Sequence, residues 1–407
     1  MRASVAITGM GAVSALGVGA TALWEGLRDG RSGIAPLVHP RSAELRTTLA
    51  AQAHDYQPAD HFDERLLAQL DRVSQFALVA AGEAIAQAGL AFDDAWAARA
   101  AVVIGTGAGG ELSRDEQDRR IYAEKGQRMH PLAIIRAMAS APASQISMAH
   151  RITGPAFVVS SACASANHAM AQAVLMIRSG MVDVAIAGGS EACLSFGMIK
   201  AWEAMRVLTS DACRPFSLGR QGLVLGEGAG VFVLESLDHA RARGATALAV
   251  IAGIGMSADA ADIVAPSEHG EARAMSAALN DAGLRAQDIQ YINAHGTGTK
   301  ANDATETRAI RLALGSWAGE PLISSTKSAH GHALGASGAL ELVAVVGALR
   351  TGVVPPTLNF GGPDPECDLN LVVNESRRHR VLAALSHSFA FGGLNAVLAV
   401  TAADDAS

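Results

Sequence analysis

Apolar and polar positions along this chain follow two periods in turn. Across residues 72–89 the apolar side chains recur at helical spacing, which predicts an amphipathic helix. A short apolar run follows, Ala101-Val102-Val103-Ile104, and ends on the glycine turn Gly105-Thr106-Gly107, which predicts a buried strand. The same order returns later in the chain. A helix over residues 271–283 precedes Tyr291-Ile292-Asn293 and the turn His295-Gly296-Thr297-Gly298. Both helices end in Ala-Gly-Leu, at Ala88-Gly89-Leu90 and at Ala282-Gly283-Leu284. The runs at 182–187, 248–254 and 381–385 also predict buried strands.

A second correspondence extends the first. Val159-Ser160-Ser161-Ala162-Cys163 opens a helix ending near Gly180, and Ile323-Ser324-Ser325-Thr326-Lys327 opens one ending near Gly352. Laid over each other, Cys163 falls on Lys327 and His168 on His332. Each half then closes with a Gly-rich turn into a strand, at 226–233 and at 391–398. This repeat is far longer than a solenoid unit. It predicts two similar βα halves packed as one body about a pseudo-twofold axis, joined near residues 241–245. Residues 1–245 form the half with Cys163, and residues 246–407 the half with His295 and His332.

Composition narrows the class. Half of the 407 residues are hydrophobic but only 4% are aromatic, and 42 are glycine, which suits an α/β protein whose helices pack closely on buried strands. Thirty-two basic residues face 39 acidic ones with no basic block among aromatics, so nucleic acid is not an expected partner. The four cysteines, Cys163, Cys193, Cys213 and Cys367, make no C-x-x-C pair and no cluster with histidine, so neither a zinc site nor a disulfide framework is expected. The chain runs into Val5-Ala6-Ile7 without a basic region and apolar signal core. The longest apolar stretch, 333–349, is interrupted by Glu341 and by Gly and Ser, and reads as a core helix and not a membrane span. A soluble cytoplasmic enzyme is the expectation.

Four residues carry candidate chemistry. Cys163 follows the β-rich run Phe157-Val158-Val159 and precedes an Ala-rich helical stretch, which puts its sulfur at a helix N-terminus. Unpaired N–H groups there favour thiolate over thiol, and small neighbours leave room for a substrate. His295 ends a strand and opens His295-Gly296-Thr297-Gly298-Thr299, whose glycines let the backbone approach a ligand and whose threonines suit an amide-rich one. His332 lies at a loop-to-helix junction shortly after Lys327. Three other motifs fail. Gly9-Met10-Gly11-Ala12-Val13-Ser14 has serine where a dinucleotide fingerprint needs its third glycine. No G-x-S-x-G elbow occurs. The glycines of 105–110 lack a P-loop lysine. These glycines read as tight packing.

Assembled, these residues resemble the β-ketoacyl-ACP synthases of the type II branch, over almost the whole chain. The carriers are Ser161-Ala162-Cys163-Ala164-Ser165, Arg214-Pro215-Phe216, Gly226-Glu227-Gly228-Ala229-Gly230, Asn293-Ala294-His295-Gly296-Thr297-Gly298-Thr299, Asn302-Asp303 with Glu306, Ser325-Thr326-Lys327-Ser328 and Phe389-Ala390-Phe391-Gly392-Gly393. Trp202-Glu203-Ala204-Met205-Arg206 and Lys300-Ala301-Asn302-Asp303 look most like the nodulation protein E branch, which is similar to ketosynthases of aryl-polyene pathways.

The resemblance implies the thiolase fold, a five-layer αβαβα body. It implies a decarboxylative Claisen condensation in which Cys163 holds the acyl chain and the backbone N–H groups of Cys163 and Phe391 form the oxyanion hole. His295 and His332 would stabilise the enolate from malonyl-ACP, with Lys327 and Glu306 supporting them. Thr297 and Thr299 would bind the pantetheine arm of the carrier protein, and no other cofactor is implied. Ala108, where relatives have a bulky aliphatic residue, and Trp202 would line the acyl pocket. Arg65, Arg72 and Arg206 would dock the acyl carrier protein. The family is dimeric, with residues 131–147 reaching the partner's pocket, and that partner is an identical chain or a ketosynthase-like subunit. Gln221, Leu223 and Leu394 depart from the usual Asp, Phe and Thr, which points away from primary fatty-acid synthesis. Two rivals fit less well. A degradative thiolase needs a second cysteine base, and only Cys367 remains near the C-terminus. A non-catalytic chain-length-factor subunit lacks the nucleophile.

Overall fold

Apolar strands and alanine-rich helices alternate through two series of five strands each. The computed structural model describes residues 4–92 and 94–403, without the side chains of residues 94 and 95. The first series is β1 (Val5–Ser14), α1 (Arg72–Ala88), β2 (Ala100–Gly105), β3 (Ala156–Val159), α2 (Ser165–Arg178), β4 (Val184–Glu191), α3 (Phe196–Met205) and β5 (Gly228–Ser236). The second is β6 (Ala249–Ala258), α4 (Glu268–Ala282), β7 (Tyr291–Asn293), α5 (Lys300–Leu314), β8 (Leu322–Ser324), α6 (Ser337–Thr351), β9 (Ala383–Ala390) and β10 (Leu394–Thr401).

The strand order is the same in both halves. Across the sheet it reads β8-β7-β9-β10-β6-β1-β5-β4-β2-β3, so each half runs outward from a central seam in equivalent sequence. At the seam β1 and β6 pair antiparallel over only Val5–Ile7 and Ala249–Ile251. Beyond it, the inner pairs are antiparallel and the outer two in each half are parallel. Helix α1 covers the outer face of the first half-sheet, and α4 with α5 covers the second. Helices α2 and α6 lie between the two, which completes five layers.

Close approach explains the glycines of β1. A Cβ on Gly9 or Gly11 would fall 2.0 or 2.1 Å from a carbonyl oxygen of α1, and one on Gly253 or Gly255 would fall 2.3 or 2.0 Å from one of α4. The glycines that begin like a nucleotide fingerprint therefore seat a helix on a strand, as Gly253 and Gly255 do in the second half. The stretch Leu334–Thr351 is long and apolar enough to cross a membrane, but nearly all of it is buried inside the protein.

The structure corrects the register of the second repeat. No single helix runs from residue 327 to Gly352. Lys327–His330 makes one turn, the chain breaks at Gly331, and α6 starts only at Ser337. The short turn Ala162–Ala164 before α2 matches Leu334–Ala336 before α6. Ala162 (φ 48°) and Leu334 (φ 43°) share a left-handed backbone that β-carbons disfavour. Cys163 thus corresponds to Gly335 and not to Lys327, and His168 does not correspond to His332. Residues 326–333 are extra chain in the second half. The shared Ser-Ser after each strand concealed this, because it aligns the strand ends and not the helix starts.

Candidate active site

The left-handed turn at Ala162 lifts Cys163 out of the β3 register and places it just ahead of α2. Its side chain is 6% exposed and lines a cavity together with His295, His332, Thr297, Thr299, Trp202, Phe389 and Phe391. The extra segment of the second half and the β7 turn therefore deliver both imidazoles to the sulfur of the first half. Their ring centroids lie 5.5 Å apart at 81°.

Hydrogen bonds fix the protonation of both rings. Lys327 Nζ donates to the His295 carbonyl at 2.5 Å and lies 3.3 Å from its Nδ1, so Nδ1 is the acceptor and Nε2 carries the proton. His332 Nδ1 accepts from the Leu334 N–H at 3.2 Å and sits 2.8 Å from the Ser337 hydroxyl, which again leaves the proton on Nε2. Burial, followed by the Lys327 cation, holds both imidazoles well below their ordinary range. Two neutral N–H donors result, suited to an oxyanion.

Glu306 holds the His295 turn from behind. One oxygen accepts from the His295 N–H and the other from the Gly296 N–H, both at 2.8 Å, and His387 Nδ1 lies 3.1 Å away. Thr297 and Thr299 have hydroxyls 2.9 Å apart at the cavity wall. Trp202, on α3, stacks on Phe391 with centroids 6.0 Å apart.

Several positions differ from the sequence reading. Burial pushes the Cys163 thiol up to about 12, with Lys327 as the leading opposing influence. Desolvation of an anion thus works against the thiolate anticipated from the helix end. Ala108 packs beside the apolar cluster around Cys163 and Trp202 but does not line the cavity. Arg72 is not a free docking cation. It is bound 2.7 Å from the buried Glu227 and lies over the Phe76 ring. Arg65 and Arg206 are exposed, and Arg206 adjoins the cavity-lining Val207.

Glu341 is the main residue the sequence reading passed over. It is fully buried in α6, is ion-paired with Lys327, and is raised to about 7 by burial while the cation pulls it down. A single acid in an otherwise apolar helix was the available signal, since such a group survives burial only when paired. Glu191 is another. Its buried carboxylate accepts from the N–H groups of Gly107 (2.7 Å), Ala108 (3.1 Å) and Gly335 (2.9 Å), joining the two halves close to Cys163.

Comparison with known proteins agrees with this arrangement. Residues 2–240 match the N-terminal domain of β-ketoacyl synthases, and residues 248–361 match their C-terminal domain. The chain is 49% identical over 399 residues to nodulation protein E of Rhizobium meliloti (strain 1021), covering 98% of this chain and 99% of that one. It is 38% identical over 401 residues to 3-oxoacyl-[acyl-carrier-protein] synthase 2 of Staphylococcus aureus (strain N315), covering 97% of each. Among solved structures, the ishigamide ketosynthase/chain length factor superposes with a TM-score of 0.94 at 36% identity, over 98% of this chain and 99% of that one. A type II polyketide ketosynthase bound to the hexaketide, in complex with its acyl-carrier protein, gives 0.90 at 31%, over 99% of this chain and 100% of that one.

Proposed function

The chain belongs to the β-ketoacyl synthase family, with its thiolase fold and acyltransferase chemistry, and we propose that it condenses carrier-bound acyl chains on Cys163. The Cys163 sulfur attacks an acyl thioester, the carrier thiol leaves, and the chain stays on the enzyme. The N–H groups of Cys163 and Phe391 stabilise the oxyanion of that transfer. Malonyl-ACP then enters, its phosphopantetheine arm held by Thr297 and Thr299. Its C–C bond to the carboxylate breaks, carbon dioxide leaves, and the electron pair passes into an enolate held by the Nε2–H groups of His295 and His332. The enolate carbon attacks the acyl-Cys163 carbonyl, the new C–C bond forms, and the C–S bond breaks to return the sulfur. Lys327, paired with Glu341, and the Glu306 network keep both rings neutral and aimed.

One observation carries this reading: two neutral imidazole N–H groups share a cavity with a cysteine sulfur. It also separates the enzyme from a non-catalytic chain-length-factor subunit, which would have no use for a nucleophile there. Higher identity to nodulation protein E than to the synthase 2 enzyme supports a specialised fatty-acid or polyene pathway. The exposed Ile134, Ile135 and Met138 support a subunit partner over residues 131–147. We take residues 1–245 and 246–407 as the two halves, Trp202 as a pocket residue, Arg65 and Arg206 as carrier-protein contacts, and the cytoplasm as the place of action. Intact mass after exposure to a panel of acyl carrier proteins tests the proposal. A mass gain equal to the acyl group is expected, and Cys163→Ala should abolish both adduct and condensation. Elongation by that variant at an undiminished rate would refute the reading.

A further inference from the structure

Arg220 is among the largest fully buried side chains, 2% exposed, yet it lies outside the catalytic set. Its guanidinium donates from Nε to the Thr299 carbonyl and from Nη2 to the Lys300 carbonyl, both at 3.4 Å, and from Nη1 to the Ser217 carbonyl at 3.3 Å. It pairs with Asp364 and lies 3.5 Å from Asp303. Asp303 in turn accepts from the N–H groups of Gly298 at 3.2 Å and Phe216 at 2.8 Å. One planar cation therefore grips, from outside, the turn whose inner side carries the Thr297 and Thr299 hydroxyls to the cavity wall. It ties that turn to two other segments, the loop at Ser217 and the loop at Asp364, and these are themselves bridged by Ser217 and Pro363. Burying a guanidinium is costly unless its donors are met, and here carbonyls and carboxylates from three segments meet them.

We infer that Arg220 is a positioning residue for the carrier arm, setting the Thr297-Gly298-Thr299 turn so that both hydroxyls meet the arm's amides. This rests on the reading that the cavity admits a phosphopantetheine arm. Binding of carrier-linked substrate depends on Arg220, whereas the chemistry of Cys163 does not. A displacement of about 1 Å at such a turn is enough to change productive binding strongly.

The test uses the full chain with acyl-ACP and malonyl-ACP, measuring KM and kcat, and separately the rate of Cys163 alkylation by iodoacetamide. Arg220→Gln should raise the KM for malonyl-ACP on the order of tenfold, with changes within about twofold in kcat and alkylation rate. Arg220→Lys keeps the charge but not the fork, and with Asp364→Asn should fall between that variant and wild type. An unchanged KM in folded Arg220→Gln, or equal losses of kcat and alkylation rate, overturns the assignment. If Arg220→Gln does not fold, Asp364→Asn decides, and a wild-type KM there also overturns it. Acylation of wild-type Cys163 from a carrier-bound donor keeps the two questions apart. Where that adduct forms and KM does not move, only the role of Arg220 falls. Where it does not form, the condensing reading itself fails.

Discussion

The turn at Ala162–Ala164 and the turn at Leu334–Ala336 occupy equivalent places, each leading from an edge strand into a central helix through one left-handed residue. In the first the middle residue is Cys163, facing a cavity. In the second it is Gly335, where a Cβ would fall 2.4 Å from the Gly107 backbone nitrogen. One backbone device thus presents a sulfur in one half and closes against the other half in the second. The half without the sulfur has instead residues 326–333, which supply Lys327 and His332. The two halves share one frame and differ at these two turns. On the proposed mechanism the first half would hold the acyl chain and the second would generate the carbanion.

That division can be broken experimentally. His295→Ala and His332→Ala should lower condensation on the order of 10²-fold or more while acylation of Cys163 persists, because only the enolate loses its donors. Rate assays paired with intact mass would check this, and parallel loss of both steps would mean that the halves do not divide the reaction. Gly335→Ala tests the other turn. Its Cβ has no space among backbone atoms that cannot move aside, so calorimetry should find Tm lowered by several degrees, and an unchanged Tm would contradict the close packing.

A smaller effect concerns the charge that crosses between halves. With burial pushing the Cys163 thiol up to about 12, its thiolate fraction should grow with pH across the neutral range. Alkylation by iodoacetamide should therefore rise roughly tenfold per unit between about pH 6 and 9 without a plateau. Lys327→Ala should slow it at each pH, since removing the cation raises the thiol further. A plateau below neutral pH would show a thiolate already formed. The smallest change expected is in specificity. Ala108 packs beside the apolar cluster, so Ala108→Ile should shorten the preferred acyl chain with little effect on turnover of short chains. An unchanged chain-length profile would show that packing behind this cluster does not limit the acyl chain.

Much of this was legible along the chain. Helical and strand periods located α1, α4 and the strands that flank them, with boundaries displaced by a few residues; β4, for instance, begins at Val184 and runs to Glu191. Cys163, His295, Lys327 and His332 stood out because each sits at a strand or helix end among small residues. Glu341, Glu191 and Arg220 did not, because a lone charge in a sequence gives no sign of the partner that lets it be buried. Arg72 misled for the converse reason: its partner Glu227 is distant in sequence and adjacent only in space.

By itself, then, the sequence determined the alternation of elements, the presence of a duplication and the residues able to do chemistry, all consequences of local periodicity and side-chain identity. Only the tertiary structure decided the register of the two halves, the neutral Nε2–H form of both imidazoles and the upward shift of the thiol. Those depend on which backbone groups and charges the fold brings together around the cavity, and on how far water is excluded there. Contact and desolvation are properties of the packed body and not of any stretch of chain.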